Sequence, residues 1–398
     1  MRLKLTAILL VVVISFVACS APAEAPTAEE APAAATEAPA EEAADTASDA
    51  ATAEEVAVDQ EAEFADIFAC VEENFPAELY ITNEFLPDPD AEWEQFDCDT
   101  VDQIKVLMPW VLNDEEAPWY NAVEQGYYAD ACIEVELVPG GPGIQPIQLL
   151  AGGAVDIAVV AGASRIPASV ASPTPADVVG VGTFLKHSPY IWMGLDADVV
   201  QDQPSLKELT PEDLVGSKIA LQGGDDYFAD FLIGKYGLPE DSFEIVEAGF
   251  TPDPLLVGAV DYFAAWIVNQ PRLAEAQGYM NWTAFRFSEW GWDGYSDVST
   301  VRREMLEENP DLVRRYLAAT HQGLKFLLEN PEASADIAVE YGVDAPITKE
   351  EALRRFELQE DLVIGTDDLP LMHMSLERWN RDVATQVQFG QIELPACQ

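Results

Sequence analysis

The aromatic residues of this chain gather where its first strand-like run ends. Trp110 closes the run that starts at Lys105, and Trp119 and Tyr120 open the helical pattern that follows. Trp266 closes a later apolar run, with Asn269 just beyond it. Aromatic faces stack on flat rings, each pair contributing about 0.5–1.5 kcal/mol beyond area burial. Asn113, Ser164, Tyr227 and Asn269 add hydrogen-bonding groups suited to ring edges or hydroxyls. Gly223-Gly224, like Gly140-Gly141 and Gly162, permits close backbone approach, with N–H groups open to a ligand. These residues make a candidate site for a flat heterocycle. Trp110 and Trp119 would stack on one face and Trp266 on the other.

Catalytic chemistry has little to work with. The three histidines, His187, His321 and His373, are far apart, and the cysteines are dispersed. No HExxH, GxSxG or P-loop pattern occurs. The expectation is a binding protein, not an enzyme, with no cofactor and no metal. Arg165 is the one base near the expected site. Sulfonates and phosphates call for more cations or several helix N-termini, so a neutral ligand is expected.

Positioning these residues requires alternating elements. Strands are expected at 105–110, 133–138, 155–160, 178–184, 189–195, 218–222, 243–247, 261–266 and 283–287. Helices are expected at 117–129, 144–152, 211–215, 226–236, 253–259, 270–277 and 349–363, with a long helical tail over 299–342. Such alternation predicts parallel α/β layers. Asp225 or Asp226 can cap the helix that Gly237 and Pro239 stop. Asp156 and Asp261, each inside an apolar run, read as fold residues at strand starts. Crossings near Lys186–Tyr190 and Thr283–Phe287 predict two lobes, 103–188 plus 288–398 and 189–287. The cleft between two such lobes is a favoured ligand site.

The N-terminus reads as a leader. Arg2 and Lys4 precede a thirteen-residue apolar run, Thr6 to Ala18, too short to span a bilayer. It ends in Phe-Val-Ala-Cys, which resembles a bacterial lipoprotein cleavage site with Cys19 as the lipidated residue. Residues 19–63 then read as a disordered tether, with thirteen acids and no base between 20 and 63. Residues 64–102, acidic but holding Phe64, Phe68, Phe75, Trp93 and Phe96, read as an extension packed on the first lobe. The expected location is extracytoplasmic, anchored to the membrane by lipid alone.

The chain of 398 residues carries a formal charge of −52. The part from Lys105 onward is itself acidic, with 47 acids against 18 bases. That excludes a nucleic-acid partner and disfavours anionic lipid. Four cysteines besides Cys19 allow three pairings. The pairing expected is Cys70–Cys98, closing a local loop, with Cys132–Cys397 pinning the C-terminus to the first lobe.

Several segments carry a resemblance. They are Trp110 with Ala122-Val-Glu-Gln-Gly-Tyr-Tyr128, Val135-Glu-Leu-Val-Pro-Gly-Gly-Pro142, Gln148-Leu-Leu-Ala-Gly-Gly-Ala-Val-Asp156, Pro211-Glu-Asp-Leu-Val-Gly-Ser-Lys-Ile219, Gly223-Gly224 and Leu255-Leu-Val-Gly-Ala-Val-Asp261. The chain resembles substrate-binding lipoproteins of bacterial ABC importers, in the branch that binds thiamine-precursor pyrimidines, riboflavin and alkanesulfonates. The resemblance implies a type II periplasmic-binding-protein fold, two α/β lobes on a two-strand hinge. It also implies a monomer that passes a small molecule to permease subunits. Pyrimidine-binding members tend to carry a His in the loop where this chain has Asp114-Glu115-Glu116. The pattern of Trp110, Trp119-Tyr120 and Gly126-Tyr127-Tyr128 is closer to riboflavin-binding members, so riboflavin is the lead ligand. Pyrimidine or alkanesulfonate binding is the alternative. A pyrimidine-synthesising enzyme on the same fold is a further one, but those relatives carry clustered Cys and His. A structural surface lipoprotein would lack the cleft.

Overall fold

The computed structural model describes residues 53–97, 99–141, 143–222, 225–342 and 347–397, with side chains described from Phe64 onward. The leader, Cys19, most of the acidic stretch, Cys98, Gly223 and Gly224 lie outside the described residues.

Among the described residues, ten strands form two sheets. They are β1 Asp102–Leu107, β2 Ile133–Val138, β3 Ile157–Val160, β4 Val178–Leu185, β5 Tyr190–Leu195, β6 Ser217–Leu221, β7 Phe243–Glu247, β8 Tyr262–Trp266, β9 Trp282–Arg286 and β10 Ser296–Arg302. The first sheet runs β2-β1-β3-β10-β4 and the second β7-β6-β8-β5-β9. In the first, β10 lies antiparallel between β3 and β4; in the second, β5 lies antiparallel between β8 and β9. The chain passes from sheet to sheet at 186–189 and returns at 287–295. The return comes later than expected, because Thr283–Arg286 still belongs to β9.

The two sheets repeat one local device. Leu-Leu, a glycine and Ala-Val-Asp precede both β3 and β8. Gly153 and Gly258 take left-handed φ values of 71° and 70°, which suit glycine. The following aspartates then reach the neighbouring strand. Asp156 accepts the Lys105 N–H and Asp261 the Lys218 N–H, both at 2.8 Å. Each carboxylate thus satisfies a backbone donor where its strand begins, which fits the fold role expected of them.

Three expectations need correction. Residues 296–302 form strand β10, not the start of a helical tail. Val298, Thr300 and Val301 are β-branched and fill the gap between β3 and β4. A helix, Ala53–Asn74, begins inside the stretch assigned to the tether. Its segment is rich in Ala and Glu and free of Pro, which favours helix once it has something to pack on. It packs along the C-terminal helix Leu376–Gln388. That contact overturns the expected Cys70–Cys98 and Cys132–Cys397 pairing. The final 3₁₀ turn, Pro395–Cys397, ends beside the first helix, and Cys70 is bonded to Cys397 with the Cα atoms 5.6 Å apart. Cys132 is disulfide-bonded as well.

The 75–97 segment is held against the first sheet. Thr82 N–H donates to the Gly180 carbonyl at 3.0 Å, and the Asn83 amide donates to the Met374 carbonyl at 2.8 Å. Tyr80 is buried, edge-on to Trp379.

The Cys70–Cys397 bond spans 327 residues of sequence. Cys397→Ser is expected to lower unfolding free energy by about 2–5 kcal/mol, read by denaturant titration. Unreduced peptide mapping is expected to join the Cys70 and Cys397 peptides. A Cys70–Cys98 peptide instead would reject this arrangement.

Candidate functional site

Strand direction brings one end of each sheet together. The loops after β1 and β3 share their end with the start of β10: Ala163 N–H donates to Tyr295 O at 3.2 Å. The loops after β6 and β8 likewise share theirs with the start of β5: Ile267 N–H donates to Pro189 O at 2.9 Å. These are the ends where open α/β sheets hold ligands. Trp110, half-buried on the first side, stacks on Phe250 from the second, with centroids 6.1 Å apart and planes 25° from parallel. Trp266, also half-buried, packs against buried clusters belonging to both sheets.

A charged hub sits beside this stack. Asn113 caps the 3₁₀ turn Asp114–Glu116: its side chain accepts the Glu115 N–H, and Glu116 accepts the Asn113 N–H. The turn thereby drives three acids inward, and all three are buried. Arg272, on the second side, reaches Asp114 with contacts of 2.7 and 2.8 Å. Arg355, from the helix Lys349–Ile364, is fully buried. It lies 2.9 Å from Asp114 and 3.5 Å from Glu115, at ion-pair distance but without hydrogen-bond alignment. Asp297, at the start of β10 with φ 52°, is a fourth buried acid. Burial raises the Glu115 carboxyl and pushes those of Glu116 and Asp297 well above the usual range. Neighbouring carboxylates add to all three shifts.

A second polar group bridges the sides farther along. Ser164, after β3, donates to Asp382 of the C-terminal helix at 3.2 Å, and Gln386 donates to the same carboxyl at 2.9 Å. Burial pushes Asp382 up to about 6, against these bonds and Arg378. Asp225, after β6, is pushed by burial up to about 6 against the pull of Arg165 and a hydrogen bond from Tyr190. Asp225 or Asp226 was expected to cap the next helix; Asp226 holds the N-cap position, though its side chain makes no capping bond. Tyr227 packs on Phe228 and Trp292, with centroids 4.3 and 5.4 Å away.

Asp382 also borders a hydrophilic cavity of about 400 Å³ between the two crossings and the C-terminal helix. There Asp293 holds His187 at 2.9 Å and Arg378 at 2.7 Å. The cavity thus has cations and carboxylates paired along its wall.

A family model described as NMT1/THI5 like matches residues 113–334, more than half of the chain. The chain belongs to the NMT1/THI5-like family. It is similar to a putative thiamine biosynthesis protein of Haemophilus influenzae, 26% identical over 60% of this chain and 74% of that one. It is also similar to the riboflavin-binding protein RibY of Chloroflexus aurantiacus, 24% identical over 68% of this chain and 75% of the relative. Among solved structures, the periplasmic aliphatic sulphonate binding protein SsuA of Escherichia coli superposes with a TM-score of 0.53. It is 14% identical and covers 74% of this chain and 89% of its own. The fold is therefore that of the periplasmic binding proteins, as expected.

In this NMT1/THI5-like chain the expected site residues divide. Trp110, Ser164, Tyr227 and Trp266 are half-buried at the facing ends. Trp119 and Tyr120 are core residues instead. Trp119 Nε1 donates to the Tyr316 hydroxyl at 3.0 Å, and its ring meets Phe184 edge-on. The void beside it is only about 10 Å³, the scale of one water. Tyr120 stacks on Tyr341 at 4.7 Å. The capped 3₁₀ turn sets the helix phase that rotates both inward. Asn113 is spent on capping, and Asn269 accepts from Arg272 at 3.3 Å. Arg165 is not the one base here: Arg272 and Arg355 join it. Sequence missed both because their partners lie in distant elements. The only local sign was three adjacent acids in an apolar setting.

The raised carboxyls fix the sign of a pH effect. A carboxyl raised in the folded state holds its proton longer there than unfolded. Its stabilising proton is fully present in acid and is lost as pH rises through about 6 for Asp225 and Asp382. From the usual 3.8, each such shift corresponds to at most about 3 kcal/mol. Melting temperature is expected to fall between roughly pH 4 and pH 7. Asp382→Asn is expected to flatten that slope, and an unchanged slope would contradict it.

Proposed function

We propose that this chain is the extracytoplasmic binding component of an ABC importer and that it holds riboflavin between the two sheets. The observation that carries the reading is the Trp110–Phe250 stack across the facing ends, with Trp266 alongside. A third ring inserted into such a stack needs the outer faces about 7–8 Å apart. Their centroids are 6.1 Å apart, so the sides must part to admit an isoalloxazine. The riboflavin-binding relative supports this choice of ligand. Ser164 and Tyr227, half-buried at the facing ends, are the proposed partners of the ribityl hydroxyls.

Ligand selects the closed state by touching both sides, and the closed form is what the permease receives. Cys19 carries the lipid that retains the protein at the membrane. Among the described residues, no helix is long and apolar enough to cross a bilayer. No group of three or more His, Cys, Asp or Glu residues is placed to hold a metal there either. The protein works as a monomer, without turnover.

Riboflavin at about 100 times its dissociation constant is expected to add about 2.7 kcal/mol to stability. Trp110→Ala and Trp266→Ala are each expected to weaken binding about tenfold, the equivalent of about 1.4 kcal/mol. Calorimetry with riboflavin, an aminopyrimidine and an alkanesulfonate decides among the ligands. Binding of either of the others with no riboflavin signal would overturn the assignment.

A further inference from the structure

The hub does not balance as fully charged groups. Among the described residues, Asp114, Glu115, Glu116 and Asp297 face two cations, Arg272 and Arg355. Four carboxylates against two guanidinium groups leave an excess of two negative charges out of water. Burial of an uncompensated charge is costly, and in practice the group neutralises instead. The hydrogen bonding indicates how. Neither oxygen of buried Asp297 accepts a hydrogen bond, and the Glu115 charge beside it opposes its ionisation. A buried carboxyl with no donor aimed at it is favoured in its neutral, protonated form. One Glu116 oxygen accepts the Asn113 N–H and the other has no partner.

The other groups around the hub do not supply the missing positive charge. From the helix Ala117–Glu124 comes the Tyr120 hydroxyl, 3.4 Å from Glu116. From the helix Lys349–Ile364 come Arg355 and Glu351, and the Glu351 carbonyl accepts from Arg272 at 3.3 Å. From the helix Gln270–Ala276 comes Arg272 alone. The helix Pro331–Tyr341 contributes the Tyr341 ring, behind Tyr120.

The acids belong to the first-sheet side and Arg272 to the second. We propose that the two sides close with uptake of protons: the acidic hub accepts Arg272 into dry contact only when its surplus carboxylates are neutral. This rests on the reading of the cleft as one that opens and closes. When the sides part, water reaches the hub, and the Glu115, Glu116 and Asp297 carboxyls regain ordinary acidity. The closed form therefore binds more protons, and rising pH favours opening. With about two protons taken up, the closing equilibrium shifts by up to about a hundredfold per pH unit inside the window. That window starts at the ordinary carboxylate range and extends upward, as the raised Glu115, Glu116 and Asp297 require.

Fluorine NMR of the full chain labelled with 5-fluorotryptophan reads this without ligand. The Trp110 resonance, assigned with Trp110→Phe, reports the stack on Phe250. The stacked fraction is expected to dominate near about pH 5 and its ratio to the open form to fall at least about tenfold by about pH 8. The double variant Glu116→Gln with Asp297→Asn replaces both surplus acids by neutral groups. The new amide at position 116 can still accept the Asn113 N–H. The stacked fraction of this variant is expected to change less than about twofold over the same range. A pH-independent wild-type resonance, or a double variant that tracks the wild type, overturns the proposal. Should the double variant not fold, Glu116→Gln alone is expected to halve the slope, and an unaltered slope overturns it equally. Because no ligand is added, a protein that failed to bind riboflavin but showed this shift would remove the ligand assignment only.

Discussion

Two arginines meeting four acids out of water form the contact on which this architecture depends. Its members come from the turn after β1, the start of β10, a helix after β8 and a helix near the C-terminus. No two of those elements are neighbours in sequence. Their meeting fixes the distance between the sheets at the place where Trp110 and Phe250 stack. A well-packed apolar contact of the same volume is often as stable as a buried ion pair, or more so. What the charged contact adds is a condition: it is favourable only when the groups count out to neutrality. The hub is thus a better device for choosing between arrangements than for adding stability.

The rest of the fold delivers those groups. The repeated Gly-Ala-Val-Asp turn starts β3 and β8 alike, tying each start to a parallel neighbour through a carboxylate. With the starts fixed, the opposite ends of β1, β3, β6 and β8 are free to carry loops. The antiparallel strands β5 and β10 return the chain into those same ends. Asp297 can face Glu115 only because β10 enters the first sheet there, in the left-handed conformation that Asp tolerates better than most residues.

Much of this organisation was legible in the sequence because it is local. Apolar runs bounded by Gly and Asp marked nine of the ten strands, and the alternation with helices marked the layers. The tenth, β10, was not legible: Ser-Asp-Val-Ser-Thr-Val-Arg carries few apolar residues, and the segment after it is strongly helical. Its burial comes from neighbours more than a hundred residues earlier in the chain. The same limit governs the site. Trp110 and Trp266 end strands, so their position follows from strand direction. Trp119 and Tyr120 follow a 3₁₀ turn whose one-residue change of phase decides inside from outside. The disulfide failed for a related reason: the contact between the first and last helices leaves no local signal at Cys70 or Cys397.

Two C-terminal helices constrain how far the sides can part. The helix Lys349–Ile364 holds the hub through Arg355 and the second side through Arg354, whose guanidinium meets Glu275 at 3.1 Å. Its Leu362 packs against clusters of both sheets. The helix Leu376–Gln388 buries Trp379 with the first sheet, and Phe389 at its end packs edge-on to Phe231 of the second side. Phe389 also fits over Gly234, where a Cβ would come within 2.8 Å of the ring. Both helices therefore staple one side to the other through side-chain contacts, in addition to the two chain crossings. Parting the sides widely would break both staples at once, whereas separating Trp110 from Phe250 breaks neither of them. The packing therefore favours a limited opening, in which the aromatic stack and the Arg272 contact yield while the helical staples persist.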